Sequence, residues 1–333
     1  ERGRITAIRQ MSQPAADLPF ISPGFFDIQV NGFAGIDYSA ADLQPEKAAE
    51  LVDALSRCGT TQHLATIITS PEHVILRNLR ILSECRESSR EIADAIPGFH
   101  VEGPFICPDD GPRGAHDRRF VRDPDIEEFE RWQQAASGNI RLLTLAPERP
   151  GAIALIEHAV GEGVTVAIGH TAADAQAIQE AVRAGARMST HLGVGSHHVL
   201  PRLNNYIWEQ LAQDSLAASI IADGYHLPRS VIKVFARVKG FTGLILASDA
   251  APIGGFPRGV YKWGDMDVEV FGDGHLGLAG TQTLAGAAHL LDWDLPRFFE
   301  ATGCSLAEAL RLCTCNPARL LGMGKGLGGL EIG

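Results

Sequence analysis

The chain has 333 residues, 45% of them hydrophobic, enough for one large α/β domain with an accessory piece or for two average domains. Its formal net charge of −11, with no local run of Lys and Arg, disfavours nucleic acid and anionic membrane surfaces, and admits a small anionic ligand only where a pocket supplies its own positive charge. No apolar run is long enough to cross a bilayer and the opening ERGRITAIRQ carries no secretory signal, so a soluble, cytoplasmic protein is expected.

In chain order, GRITAIRQ alternates like a strand, and residues 1–22 are expected to form part of a small β layer. Eight short apolar runs follow: GFFDIQV, TQHLATIIT, GFHVEGP, IRLLTLAP, VTVAIGH, RMSTHL, AASIIADGYH and GLILASDA. Helical periodicity fills 45–58, 71–88, 126–136, 151–162, 172–184 and 228–238, several of these opening on Pro and some closing near Gly. Eight alternations of doubly buried strand and helix predict an α/β fold, a (β/α)8 TIM-like barrel over 23–320, with a doubly wound open sheet as the other arrangement. After the eighth run, VYKWGDMDVEVFGDGHLGLAG reads as a β-hairpin insertion at about 258–280, with turns at Gly264–Asp265 and Asp273–Gly274. A helical stretch at 305–321 packs outside the barrel, and 321–333, ending in GKGLGGLEIG, returns toward the small β layer. Cys58, Cys85, Cys107, Cys304, Cys313 and Cys315 are scattered without a C-x-x-C pair and read as packing thiols in a reducing compartment.

A barrel builds its active site at the C-terminal ends of its strands, so the polar residue closing each run is the one to inspect. The third run ends in Glu102, the fifth in His170, the sixth in His191, the seventh in Asp223 and His226, and the eighth in Asp249. His170 and His191 are separated by a single helix and turn, which brings both to one mouth. One carboxylate and two imidazoles suit Zn²⁺ or Fe²⁺, and three protein ligands leave a position for water, as a catalytic metal site requires. One such residue alone is ordinarily a satisfied polar group; four in the same register point to a metal site.

The segments PGFFDIQVNG, HVEGPF, GAH, TLAPE, IGHT, THL, IIADGYH, SDA and NPARLLG, in this order and across nearly the whole chain, resemble the N-acetylglucosamine-6-phosphate deacetylases of the metal-dependent amidohydrolase superfamily. The resemblance implies a (β/α)8 barrel with a small accessory β-sandwich, a homodimer, and hydrolysis of the acetamide of an amino-sugar 6-phosphate. It assigns the metal to Glu102, His170 and His191, general base and then acid to Asp249, and contact with the substrate carbonyl to His116. Gln29 and Asn31 stand where many amidohydrolases carry a His-x-His pair, which argues for one divalent ion, Zn²⁺ or Fe²⁺, rather than two. A carboxylate merely hydrogen-bonded at a strand end is the plain alternative for Asp249.

After His191 the chain departs from the family's usual H-L-x-N-A-M: it reads HLGVGSHHVLPRLNN, placing Val194 and Gly195 at the Asn-Ala positions. Arg202 keeps the offset of the family's phosphate arginine, in its own subunit or across a dimer, and His197 and His198 either replace the lost donor or lie on the loop surface. Ala115, Asp223, His226, Leu278, Ala279 and Gly280 fall at the family's substrate contacts. The expected function is removal of acetate from N-acetylglucosamine 6-phosphate. The alternatives are an unphosphorylated or different N-acyl sugar, and a barrel that binds metal and sugar without turnover. Retention of Asp249 beside the triad counts against the last.

Overall fold

The computed structural model describes residues 5–9, 19–324 and 327–332. Eight parallel strands form one sheet in chain order: β1 (Phe25–Val30), β2 (Thr60–Ile68), β3 (Gly98–Glu102), β4 (Ile140–Leu145), β5 (Thr165–Ile168), β6 (Met188–Ser189), β7 (Ala217–Ile220) and β8 (Leu244–Leu246). A parallel bridge between Val30 and Ala250 joins the last strand's extension to the first, so the sheet curls into a nearly closed barrel. All eight expected runs are strands, and the closure decides between the barrel and the open sheet.

Phe26, Ile28, Leu64, Leu142, Ala167, Met188, Ile245 and Ala247 gather into one buried cluster. Only the interior of a barrel brings side chains from six strands together, so this cluster is the plug beneath the site. Toward the C-terminal ends of the strands the filling turns polar, with His100 Nε2 2.8 Å from Thr144 Oγ1 and Thr144 Oγ1 2.7 Å from Thr190 Oγ1. A larger apolar core lies between sheet and helices, where Phe105 stacks on the fully buried Trp132 with ring centres 4.9 Å apart.

Helices cover the sheet at Glu46–Ser56, Glu72–Ser88, Ile126–Ala135, Ala152–Gly161, Ala175–Ala184 and Arg229–Lys239. The fifth begins later than its periodicity suggests because Asp174 caps it, accepting the Ala177 N–H at 2.8 Å. The stretch expected at 305–321 is two helices, Leu306–Leu312 and Cys315–Leu320, since Pro317 has no N–H to continue a helix and fits only the first turn of a new one. Two further helices, Tyr206–Ala212 and Leu291–Thr302, lack a clear apolar period in the sequence; the second holds Pro296 within it.

The insertion is a three-stranded antiparallel sheet, β9 (Gly259–Trp263), β10 (Met266–Val270) and β11 (Leu276–Leu278), with the first turn at Gly264–Asp265. Trp263 Nε1 donates to Asp37 Oδ2 at 2.9 Å and pins this sheet to the segment after β1. Of the small β layer expected from both ends, 1–4, 10–18, 325–326 and 333 lie outside the described residues, while 5–9, 19–22 and 327–332 form no strand. An alternating segment is stable as a strand only when an edge accepts its ladder, and these segments pair with none among the described residues. No helix among the described residues is long and apolar enough to cross a membrane.

Where β1 meets β8, the fully buried Asp27 carboxylate accepts the Ser248 N–H at 3.2 and 3.3 Å and the Gln29 N–H at 3.2 Å. Burial pushes its pKa up to about 7 despite those bonds. The folded chain therefore holds a proton on Asp27 that the unfolded chain releases near 3.8. That contribution to stability is complete below about pH 4 and is lost as pH rises to 7. Asp27→Asn, which keeps the shape and an acceptor oxygen, is expected to gain stability relative to the parent by up to about 1.4 kcal/mol per pH unit between 4 and 7 and to level off above. Urea unfolding at several pH values reads this directly; a constant difference would contradict it.

Candidate active site and metal centre

The strand ends converge on one cavity of about 600 Å³, walled by Asn31, Glu102, His116, His170, His191, His226 and Asp249. Glu102 closes β3, and its Oε1 lies 3.0 Å from His170 Nε2 and 2.8 Å from His191 Nε2. His116, on the loop after β3, sets its Nε2 3.1 Å from His170 Nε2 and its Nδ1 2.8 Å from Thr69 Oγ1. Burial opposes a charge on Glu102, yet hydrogen bonds from the two imidazoles hold its carboxyl well below the usual range. Burial likewise opposes a charge on His191, and Glu102 overrides it and raises the imidazole. His116 has no such partner and is pushed down to about 3 by burial and by His170 beside it, so it is neutral.

The backbone here is strained. His170 (φ 50°), His191 (φ 29°) and Asp249 (φ 53°) are three of five non-glycine residues with positive φ among the described residues. Each is held by a bond that fixes its peptide: His170 O accepts from Cys107 N, Ser219 Oγ accepts from His191 N, and Asp249 O accepts from Ala287 N. Such conformations cost about 1–3 kcal/mol each and persist where the surroundings over-determine them.

His170 Nδ1 lies 2.8 Å from the Pro112 carbonyl, which only accepts, so Nδ1 carries a proton; Nε2, facing Glu102 and His116, donates to Glu102 when it too is protonated and offers its lone pair to a cation when it is not. A lone pair against a buried carboxylate oxygen asks for a cation or a proton between them, and this donor set fits a divalent ion. Glu102, His116 and His170 offer ligand atoms within 4.8 Å of one another, and His191 reaches the same carboxylate oxygen. His116 has two possible parts. With a proton on Nε2 it is a donor aimed at the cavity and accepts from the Thr69 hydroxyl; with the proton on Nδ1 it is a further ligand.

Asp249 lines the same cavity. Burial and the charge of Glu102 push its carboxyl up to about 6, against Asn31, His191 and His226. Asp223 stands behind the wall: its carboxylate accepts the N–H groups of Tyr225 and His226, each at 2.9 Å, and meets His226 Nδ1 at 2.8 Å. Burial works against its charge, but His226 and these donors keep it below the ordinary value.

Family comparison decides what such a site belongs to. The profile of the amidohydrolase family matches residues 20–333. The N-acetylglucosamine-6-phosphate deacetylase of Bacillus subtilis is 32% identical over 341 residues, covering 100% of this chain and 83% of the relative. That of Homo sapiens is 33% identical over 326 residues, covering 94% and 77%. Among solved structures, a mutant of the Mycobacterium smegmatis N-acetyl-D-glucosamine-6-phosphate deacetylase in complex with N-acetyl-D-glucosamine-6-phosphate superposes with a TM-score of 0.88 at 30% identity, covering 99% of this chain and 86% of that one. The chain belongs to the N-acetylglucosamine-6-phosphate deacetylase family. It is therefore a hydrolase of the amidohydrolase class acting on an amide.

Of the residues at the family's substrate positions and the two loop histidines, Ala115, Val194, Gly195, His197, His198, His226 and Leu278 line the cavity. Arg202, Asp223, Ala279 and Gly280 are not brought to its wall. Arg202 sits on an exposed turn whose carbonyl accepts from Trp208 Nε1, Asp223 is spent on His226, the Ala279 N–H is tied to the Asp267 carbonyl, and Gly280 forms an exposed turn. The wall also holds residues the sequence did not single out. Arg113 comes from the loop CPDDGPRGAH; Trp263 and Met266 come from the insertion. Arg113 had a signal, a lone cation three residues before His116 in a loop already placed at the mouth. Trp263 and Met266 had none, because nothing local says which way an insertion folds.

Metal content separates the two parts of His116. His191→Asn is expected to weaken metal binding by more than the ten- to hundredfold typical of an outer-shell change, whereas His116→Asn stays within that range. Equilibrium dialysis with metal analysis reads both; equal loss would make His116 a ligand.

Proposed function

We propose that the protein removes the acetyl group from N-acetylglucosamine 6-phosphate, giving acetate and the free amine. The observation that carries this is that Asp249, a carboxyl pushed up to about 6, shares one cavity with the Glu102, His170 and His191 cluster in a chain of this family. Glu102, His170 and His191 would hold one divalent ion, with Zn²⁺ favoured over Fe²⁺ by the nitrogen-rich donor set. Such an ion supplies Lewis acidity, polarising a carbonyl and making water nucleophilic near neutral pH.

The chain's own groups do the rest. His116, neutral, presents its Nε2–H to the acetyl carbonyl oxygen, with Thr69 fixing the ring from behind. Asp249 takes a proton from the attacking water as the new C–O bond forms. It then delivers that proton to the nitrogen as the C–N bond breaks, since an amine leaves poorly unless protonated. A carboxyl near 6 is mostly ionised at neutral pH and still basic enough to accept.

Phosphate recognition rests on Arg113, His197 and His198, which line the cavity beside Val194 and Gly195. His197 is aimed by Tyr206, whose hydroxyl lies 3.0 Å from Nδ1 and accepts the His197 N–H at 2.8 Å. Arg202, exposed and away from its own cavity, supports a homodimer in which it serves a neighbouring protomer's substrate. Six free cysteines support a cytoplasmic setting. A second reading, a sugar without phosphate, is favoured by Val194, whose side chain offers no donor where the family has Asn.

Acetate release by the metal-loaded protein is expected from N-acetylglucosamine 6-phosphate in preference to the unphosphorylated sugar, and to fall by about 10²–10⁴ in Asp249→Asn. The His197→Ala, His198→Ala double variant is expected to raise KM for the phosphosugar alone. Equal turnover of both sugars would favour the second reading; full activity in Asp249→Asn would remove the assignment of the base.

A further inference from the structure

Strand β1 ends in a feature that metal ligation does not explain. Its pairing with β2 slips between Asp27 and Val30, and slips of this kind re-aim side chains next to active sites. Beyond the start of the slip, Gln29 and Asn31 both turn to Asp249. Gln29 Nε2 donates to Asp249 Oδ1 at 2.9 Å and Asn31 Nδ2 donates to the same oxygen at 2.8 Å. Gln29 is fully buried and Asn31 nearly so. Among the described residues no hydrogen bond falls on the other carboxylate oxygen, Oδ2. Both carboxamide oxygens, Gln29 Oε1 and Asn31 Oδ1, are buried without a partner.

An unpartnered buried amide oxygen costs about 1–3 kcal/mol, and two side by side would not persist for packing alone. Their common cause is that both NH2 groups point at one atom. A carboxylate oxygen accepting two such donors has its lone pairs occupied and its position fixed, so a proton is steered to the other oxygen. The main chain supports the arrangement: Asn31 N donates to the Ala250 carbonyl at 3.0 Å, and Ser248 Oγ reaches the Gln29 carbonyl at 3.4 Å.

We propose that Gln29 and Asn31 are positioning residues that clamp Oδ1 of Asp249, making Oδ2 the single atom that exchanges protons in the cavity. This rests on the reading of Asp249 as proton carrier and adds what the Gln-x-Asn segment does in place of binding a second ion. Polar donors to the ionised carboxylate favour that form, so removing them raises the carboxyl pKa and moves the acid limb of the rate profile to higher pH.

The test compares Asn31→Leu, Gln29→Leu and Asn31→Asp with the parent, all metal-loaded, in kcat, KM, pH profile, melting temperature and metal content. The clamp predicts that kcat falls about tenfold or more in either Leu variant with KM within about twofold. The acid limb moves up by about one pH unit, further in Asn31→Asp, where a second carboxylate faces Asp249, while metal content stays at the parental level. An unmoved acid limb in the variants that fold, or a loss that follows only the melting temperature or the metal content, overturns it. Should Asn31→Leu fail to fold, Gln29→Leu decides, because it donates to the same oxygen. Asp249→Asn run alongside separates the two ideas. If it retains full activity, the base assignment fails; if it is inactive while the Gln29 and Asn31 variants behave as parent, the clamp alone fails.

Discussion

Everything at the mouth of this barrel follows from the burial of one carboxylate. Glu102 is 2% exposed, and an ionised carboxylate taken out of water is tolerable only with opposite charge or strong donors around it. Two imidazoles supply them, and both must come from strands that the barrel places on the same rim. The demand then spreads outward. His170 needs the Pro112 carbonyl to fix its tautomer, Pro112 lies on the loop after β3, and that loop is held by the Cys107 N–H on the His170 carbonyl. Loop and strand-end cluster thus orient one another, and His116, on the same loop, is delivered to the cavity as a consequence.

Strain is the second cost of the same arrangement. Side chains leaving the end of a parallel strand do not all point into the mouth, and positive φ at His170, His191 and Asp249 turns them there. Three such residues cost several kcal/mol together, a large fraction of the net stability of most domains. The apolar plug of Phe26, Leu142 and Met188 beneath, with the polar ladder through His100 and Thr144 above it, supplies the rigidity that holds them. A sheet whose strands were not all anchored in one interior would relax those peptides and scatter the ligands.

The sequence made the strands and their polar ends legible because two signals coincide in each: an apolar run buried on both faces and a terminating His, Asp or Glu. The residues that stayed hidden depend on tertiary direction. Leu291–Thr302 is hidden because Pro296 interrupts the helical period, and Tyr206–Ala212 because its start is set by the Asn205 side chain rather than by a stripe. Trp263 and Met266 reach the cavity only because the Trp263 indole is tied to Asp37, a bond across 226 positions that no local pattern encodes. The terminal alternation of GRITAIRQ reads as a strand, yet alternation states a capacity for pairing and says nothing of the partner.

The two halves of the site are therefore built to different standards. The half proposed to move protons and hold the ion stands on strand ends, where each residue has several fixed neighbours and any substitution disturbs more than one of them. The half proposed to meet the far end of the substrate stands on the loops 107–116 and 193–202, where an ideal Cβ at Gly111 would lie only 2.9 Å from the His197 Cα, so the two loops pack on each other while Cys107 and Pro112 tie the first of them to His170. Loops of this kind change sequence together at little expense to the fold. On the proposed reading the chemistry belongs to the barrel and the choice of substrate to the two loops, so a change of specificity is to be sought where Gly111 packs on His197, and a change of mechanism in the hydrogen bonds of Gln29 and Asn31 to Asp249.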